Sequence, residues 1–374
     1  MDIVKTSLLT VRILDNMQEA HAVWASLSHE LSKTVYQTPE FLNSWLEIIG
    51  TGEGVNPIFI SIKDQEDGQL LLPLGIKKAA GLKIAQFFGG KHANFNMPIF
   101  NDGALKWSDK QIKTAMVKAG NMAGIDIFSL VNQPINWYGI VNPLAQLRSQ
   151  PSPSYGYSLV LQKNPDELIS ARLSKDGRKK LRHKEKSVAK LGDIQFVEAL
   201  DADQHNNMLQ AYFSQKSVQF KAKGIKDPFN DENVRKWFSN LSCLRLFGLE
   251  LNGKYLAIWG IGIQGQHVSG MFTSYDTTSD AARSSPGEVL LVWLIRKLCL
   301  DGYSSVDFGV GEARYKDIWC DKTVELVDAY VDVSLMGIIP AFILRLKGRV
   351  KRWVKQSTFV LNTIRTLKSK LKFR

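Results

Sequence analysis

Cysteine is scarce: the 374 residues hold Cys243, Cys299 and Cys320, an odd set with no C-x-x-C spacing. That excludes a disulfide scaffold and points to a reducing compartment. The six histidines are scattered, so no metal-ligand pattern forms and no metal is expected. The pair Gly260-x-Gly262 sits inside a strand-like run and not after one, which excludes a dinucleotide site. "MDIVKTSLLTVRILDN" lacks a basic segment followed by an apolar core and cleavage site, so it is not read as a signal peptide and a cytoplasmic location is expected. The strongest absence is acidic: from Ser334 to Arg374 there is no Asp or Glu but eleven Lys and Arg. The residues before Ser334 therefore carry 37 basic against 36 acidic groups, and the net charge of +12 is a property of the tail.

With 44% hydrophobic and 22% charged residues, the composition is that of a globular protein long enough for two domains. Pro151 and Pro153 in "RSQPSPSYGYSL" interrupt the hydrophobic pattern near the middle. We expect domains at 1–150 and 156–335, followed by a basic amphipathic tail at 336–374. "SDKQIKTAMVKAGNMAGIDIFSLVN" and "SSPGEVLLVWLIRKLCLDGYSSVDFGV" both read as capped helix, glycine and strand, with Gly124 and Gly302 equivalent. A weak repeat of this kind suggests duplication of one α/β unit, with chance as the alternative.

"TPEFLNSWLEIIG" predicts a helix from Thr38 with Phe41 and Trp45 on its apolar face, and "PIFISIKD" and "QLLLPLGIKKA" predict a hairpin. "CLRLFGLEL", "KYLAIWGIGIQ" and "HVSGMFTSYD" predict three strands, the first turn lying at Asn252-Gly253. Before them, "GRKKLRHKEKSVAK" predicts a basic helix. It is either a solvated face or a clamp for an anion, with Arg178 and Arg182 four residues apart.

The stretch Ser284–Trp319 concentrates chemistry. Ser285, Pro286 and Glu288 read as a capping box opening a helix, Gly302 ends it, and "YSSVDFGVG" is a buried strand. Asp307, Glu312, Tyr315, Lys316 and Trp319 then gather at its carboxyl end, where open α/β sheets commonly bind ligands. Tyr275 and Asp276, ending the preceding strand, line the same cleft or belong to a turn. The loop of Gly89, Gly90, His92, Asn94 and Asn96 is its counterpart in the first half.

The motifs "TPEFLNSW", "LLPLGIKKAAGLKIAQFFGGKHANFNMPIF", "GRKKLRHKEKSVAKLGDIQF", "SPGEVLL" and "DFGVGEARYKDIWCD", in that order over residues 36–321, resemble the GNAT acyltransferase superfamily and its double-domain CelD-like and FemAB-like branch. The resemblance implies a tandem duplicated GNAT fold of mixed sheets flanked by helices. It also implies acyl-CoA, acetyl-CoA first, as co-substrate, and an acceptor in a cell-surface polysaccharide, glycolipid or related precursor. The superfamily's R/Q-x-x-G-x-G/A turn for the donor pyrophosphate is replaced here by Arg283-Ser284-Ser285-Pro286-Gly287-Glu288, with Pro286 at the first glycine. Ser284, Ser285 and Gly287 are the donor-binding candidates by that likeness.

For acyl transfer to an amine or hydroxyl, Asp307 or Glu312 is the candidate base and Tyr315 the candidate acid. Arg178, Arg182, Tyr275, Lys316 and Trp319 are the substrate-binding candidates. The plain alternatives are that Asp307 caps a turn, Glu312 pairs with Lys316, and Trp319 is core. In the tail, Val350, Trp353, Val354, Phe359, Leu361, Ile364 and Leu367 interleave with cations after "SLMGIIPAFILRL", an apolar run broken by Pro340 and too short to span a bilayer. This predicts a peripheral contact with an anionic membrane surface, against a solvated helix docked on the body or a nucleic-acid contact. Two other readings remain: an aminoacyl-tRNA-dependent transferase, the one case in which a nucleic acid is expected, and a non-catalytic membrane-docked scaffold.

Overall fold

The computed structural model describes residues 8–27 and 34–357. Phe359, Leu361, Ile364, Leu367 and the cations from Arg365 onward lie outside the described residues, as do residues 1–7 of the amino-terminal reading.

The first run is β1 (Thr10–Leu14), α1 (Met17–Ser26), α2 (Pro39–Trp45), β2 (Asn56–Lys63), β3 (Gln69–Ala79), β4 (Leu82–Phe87), β5 (Ile99–Phe100), α3 (Asp109–Ala123), β6 (Ile127–Pro134), β7 (Asn136–Trp137), β8 (Ile140–Val141) and β9 (Ser149–Pro151). The second is β10 (Gly156–Val160), α4 (Pro165–Arg172), α5 (Lys175–Ala189), β11 (Ile194–Glu198), α6 (Ala202–Lys223), α7 (Glu232–Ser239), β12 (Leu244–Leu251), β13 (Lys254–Gln264), β14 (His267–Tyr275), α8 (Pro286–Leu300), β15 (Ser305–Val310), α9 (Arg314–Trp319) and β16 (Lys322–Val324). β17 (Leu326–Asp332) and α10 (Leu335–Gln356) follow.

Local chemistry explains the elements that matter. Ser108 and Gln111 close a capping box at the start of α3, and Gly124 ends it in the left-handed region at φ 63°. Asn252 and Gly253, at φ 48° and 78°, make the tight β12–β13 turn with both central residues left-handed. Helix α8 buries Val289, Leu290, Leu291, Val292, Leu294, Ile295, Leu298 and Cys299, so it is apolar around most of its circumference and runs through the core.

The result is an α/β fold of two mixed sheets flanked by helices, with strand orders β1-β2-β3-β4-β6-β17-β9 and β11-β12-β13-β14-β15-β10-β16. In each, four antiparallel neighbours are followed by a parallel one, β4 to β6 and β14 to β15. Helices α3 and α8 make the two crossovers, and Gly124 and Gly302 follow them with positive φ. The repeat visible in the sequence is thus a repeat of topology.

The division into compact units is not a simple succession. One unit takes the described residues through Pro39, Glu53–Gly156 and those from Val324 onward; the other takes Glu40–Gly52 and Tyr157–Thr323. This differs from cuts at 150, 156 and 335. The reason is strand pairing: β17 pairs antiparallel with β6 and β9 of the first sheet, although it follows the second unit in sequence. Likewise Phe41 of α2 meets Trp237 of α7 edge-on, ring centroids 5.4 Å apart, inside the second unit.

Helix α10 runs through Pro340 without a break. Pro340 is the sixth helical residue, so its missing N–H forfeits the bond to the Met336 carbonyl, a loss that the packing of Gly337 and Ala341 against the body offsets. Gly337, Ala341 and Gly348 are buried against the first sheet, Gly337 at the start of β6 and Gly348 at Gln150 of β9, where small side chains allow close approach, and a Cβ on Gly337 would sit 2.3 Å from the Asp126 carbonyl oxygen. Arg345 donates to the Tyr330 carbonyl, Arg352 Nη1 to the Ser152 carbonyl at 2.6 Å, and Lys355 Nζ to Ser154 Oγ at 2.6 Å. Docked cations therefore hold one face. Leu335, Ile339, Phe342, Leu346, Val350 and Trp353, on the other, stay exposed.

Candidate functional site

The parallel register of β14 and β15 covers only His267–Ser269 with Ser305–Asp307. Asp307 is fully buried there: Ser269 Oγ donates to Oδ2 at 2.5 Å and the Gly309 N–H donates to Oδ1 at 2.9 Å. Burial pushes its acid up to about 7, against the lowering effects of the Ser269 and Gly309 hydrogen bonds and the Lys316 charge. Lys316 is buried too, and its ammonium donates to the carbonyls of Gly309 at 3.2 Å and Gly311 at 2.8 Å while lying 5.4 Å from the centroid of the Tyr157 ring. Desolvation lowers its pKa. These two residues clamp the β15–α9 turn from below.

The other sequence candidates divide around that clamp. Tyr315 stands edge-on to Trp259 and Phe308, with centroids 5.9 and 5.8 Å away, and burial raises its phenol so that it stays protonated at neutral pH. Cys320 nearby is pushed up to about 12 by desolvation, which removes it as a thiolate nucleophile. Glu312 is exposed in the turn above. Trp319 is wholly buried, the core alternative of the sequence reading. The structure therefore brings Asp307, Glu312, Tyr315 and Lys316 to one strand end, with Tyr315 and Glu312 nearest to solvent.

The capping box at α8 does not form. Ser285 sits in the left-handed region at φ 53° with no side-chain hydrogen bond, and Glu288 accepts from Lys184 Nζ at 2.5 Å. A capping box needs an extended N-cap and a free third-position carboxylate; Ser285, left-handed after the 3-10 segment Asp280–Ser284, lacks the first, and Glu288, drawn to Lys184, lacks the second. Tyr275, 42% exposed, lies beside the helix start, its ring 3.8 Å from where a Gly287 Cβ would be. Asp276 closes a turn by accepting from the Thr278 N–H and hydroxyl.

Next to that helix start is a cavity of about 610 Å³ lined by Asp176, Lys179, Lys180, His183, Lys184, Ser187, Arg283 and Ser284. The α5 residues recur at three- and four-residue intervals, one face of the helix. Arg178 and Arg182 are not on it. Arg178 Nη1 donates to the Ser170 and Leu173 carbonyls at 3.2 and 2.7 Å, finishing α4, and Arg182 is an exposed neighbour of Glu185. The sequence identified the helix but not which face lines the cavity; the recurrence of cations at 179, 180 and 184 was the available signal. Arg283 was legible only as part of the degenerate turn.

In the first unit, the Gly89–Asn96 loop is tied internally. Asn94 Nδ2 donates to the Tyr36 hydroxyl at 2.7 Å and Asn96 Nδ2 to the Val131 carbonyl at 3.0 Å, while His92 lies in a 3-10 turn after left-handed Gly89. Among the described residues no cluster of His, Cys, Asp and Glu could hold a metal ion.

Residues 175–317 match the family model described as an acetyltransferase (GNAT) domain. That span holds α5, the cavity, α8 and the β15–α9 turn. Among solved structures, the chain is similar to FemX, with TM-score 0.60 and 10% identity over 89% of this chain and 99% of that one. It is also similar to a conserved protein of unknown function from Bacteroides thetaiotaomicron, with TM-score 0.53 and 12% identity over 86% and 100%. At such identity the likeness is one of fold. No curated protein matches.

Proposed function

We propose that this GNAT-type acyltransferase binds the phosphates of an acyl-CoA-type thioester in the α5–α8 cavity and passes the acyl group to an amine or hydroxyl. The acceptor is a cell-surface polysaccharide, glycolipid or related precursor, and the favoured donor is acetyl-CoA. The observation that carries the reading is the cavity: Lys179, Lys180, Lys184 and Arg283 converge on the amino-terminal end of α8, where the helix dipole also favours an anion. Lys184 is partly committed to Glu288, so Lys179, Lys180 and Arg283 supply the free charge.

The chemistry follows from the strand end. The acceptor's lone pair attacks the thioester carbon, the C–S bond breaks, Tyr315 gives its phenolic proton to the departing sulfur, and Glu312 takes the proton released by the nucleophile. Tyr315 holds its phenolic proton at neutral pH; burial, which raises its pKa, keeps that proton in place until negative charge develops on the departing sulfur. Asp307 and Lys316 hold the turn that presents both groups.

The outward face of α10 supports work at a membrane surface. No helix among the described residues is long and apolar enough to cross a bilayer. A helix with Trp, Phe, Leu and Ile on one face and cations on its flanks instead lies in the interface.

The test is thermal unfolding with and without coenzyme A and acetyl-coenzyme A, using wild type and the double variant Lys180→Glu, Arg283→Glu. A ligand that binds only the native state raises the midpoint. The expected result is a rise in wild type and at least a tenfold loss of affinity in the variant. Saturable, salt-sensitive binding of aminoacyl-tRNA with no response to any coenzyme A thioester would replace the donor by aminoacyl-tRNA. Response to neither would favour the scaffold.

A further inference from the structure

A second cavity, of about 140 Å³, lies in the other unit, against α10, and its residues have no part in acyl transfer. It is lined by Arg148, Ser149, Gln150, Asp328, Phe342, Arg345, Leu346 and Arg349. Three arginines thus line one small space, and the one carboxylate there, Asp328, is occupied by the Ser152 hydroxyl at 2.5 Å and the Asn132 N–H at 3.0 Å. Arg148 and Arg349 are exposed and make no ion pair among the described residues, whereas Arg345 is fixed by Asp332 and the Tyr330 carbonyl. Two buried polar atoms of the lining lack partners: Nε of Arg345, a donor, and Oε1 of Gln150, an acceptor on a residue only 6% exposed. Unsatisfied buried polar groups are rare and point to an absent partner.

The cavity opens beside apolar surface. Phe342 and Leu346 belong both to its lining and to the exposed stripe of α10. An occupant must therefore offer an anionic oxygen group to guanidinium donors, a hydroxyl or similar donor to Gln150, and hydrocarbon to Phe342 and Leu346. Arginine suits phosphate oxygens through its planar fork. Free phosphate meets only the first of these requirements.

We infer that the cavity holds the phosphodiester headgroup of an anionic phospholipid such as phosphatidylglycerol, with the acyl chains lying along Phe342 and Leu346. This rests on the reading of α10 as a membrane-surface helix and makes it specific: the helix is seated by one headgroup and not only by diffuse charge. It also fixes which flank faces the headgroup layer, because at 3.6 residues per turn Lys347 and Lys351 fall on the opposite flank from Arg345 and Arg349.

The full chain is tested for co-sedimentation with vesicles of phosphatidylcholine containing phosphatidylglycerol, at fixed ionic strength. Three proteins are compared: wild type, Arg148→Gln with Arg349→Gln, and the charge-matched control Lys347→Gln with Lys351→Gln. The expected outcome is at least a tenfold weaker affinity for the arginine pair and less than a threefold change for the lysine pair. It should be accompanied by competition from short-chain phosphatidylglycerol below its micelle concentration but not from inorganic phosphate. Equal losses for the two pairs, or competition by inorganic phosphate at the same concentrations, would overturn the headgroup site while leaving membrane association standing. Absence of wild-type binding to any vesicle would overturn both. Circular dichroism of each variant guards against misfolding, and both arginines are exposed, so the fold is expected to persist.

Discussion

At the scale of single residues, Asp307 is a turn-holding group with a distinctive titration. Its folded-state acid lies at about 7, whereas an unfolded aspartate titrates near pH 3.9. Between those values the folded chain keeps a proton that the unfolded chain has lost, so stability falls as pH rises from about 4 to about 7 and the penalty is constant above that. Asp307→Asn preserves the shape and accepts from the Gly309 N–H but cannot ionise. The midpoint of wild type minus that of the variant should therefore drop across this window and then level off; a difference that is flat with pH would sink the assignment. Tyr315→Phe separates chemistry from binding. Removing only the hydroxyl should lower kcat about 10²-fold or more with little change in donor KM, as general-acid contributions run, and an unchanged kcat would remove Tyr315 from the reaction. Burial is what sequence could not supply here. The acids and phenol were visible as residues, but nothing in "DFGVGEARYKDIW" distinguishes the sealed Asp307 from the open Glu312.

At the scale of elements, α5 and α10 are both basic helices whose two faces do different work. In α5 the side carrying Arg178 finishes α4 and the side carrying Lys180 lines a cavity. In α10 the seam of Gly337, Ala341 and Gly348 is pressed on the sheet. Helix propensity favours alanine over glycine by about 1 kcal/mol, yet Gly337→Ala should destabilise. The new Cβ would meet the Asp126 carbonyl oxygen at 2.3 Å, a backbone atom with no rotamer to escape into; overpacking of this sort costs about 1–3 kcal/mol. Gly348→Ala meets only the Gln150 side-chain amide, at 2.4 Å, and should cost less. Chemical denaturation of the two variants ranks them, and the reverse order would show that α10 is not seated through Gly337. The interleaving of apolar residues with cations was legible in the sequence. Which stripe faces the protein was not, because small residues and arginines make the docking seam while the larger hydrophobes remain outside.

At the scale of the whole molecule, the duplicated unit is completed by chain that is distant in sequence. The first sheet needs β17 between β6 and β9, and β17 lies beyond all of the second unit's strands. A fragment of residues 1–156, cut where the prolines suggest a boundary, would leave β6 with an unpaired edge and without α10 over it. Exposed edges of this kind template aggregation. Such a fragment should aggregate or fail to show a cooperative thermal transition, as measured by circular dichroism and light scattering. A soluble, cooperatively folding fragment would mean that β17 is dispensable. Long-range pairing of this kind leaves no local signature, which is why a cut read from Pro151 and Pro153 and the division found in the structure differ.

The sequence by itself determined what short-range chemistry determines. Helix–glycine–strand repeats, the Asn252-Gly253 hairpin, the basic α5 and the acid-free tail all follow from propensity, turn stereochemistry and charge within some fifteen neighbouring residues. The tertiary structure decided what depends on partners far along the chain. It set the place of β17 in the first sheet, the seal over Asp307, the drawing of Glu288 away from the start of α8 to Lys184, and the cation face that meets Arg283. Local preferences act through one chain segment's own dihedrals and neighbours, whereas burial and cavity lining arise only when separate segments compete for the same space and the same hydrogen bonds.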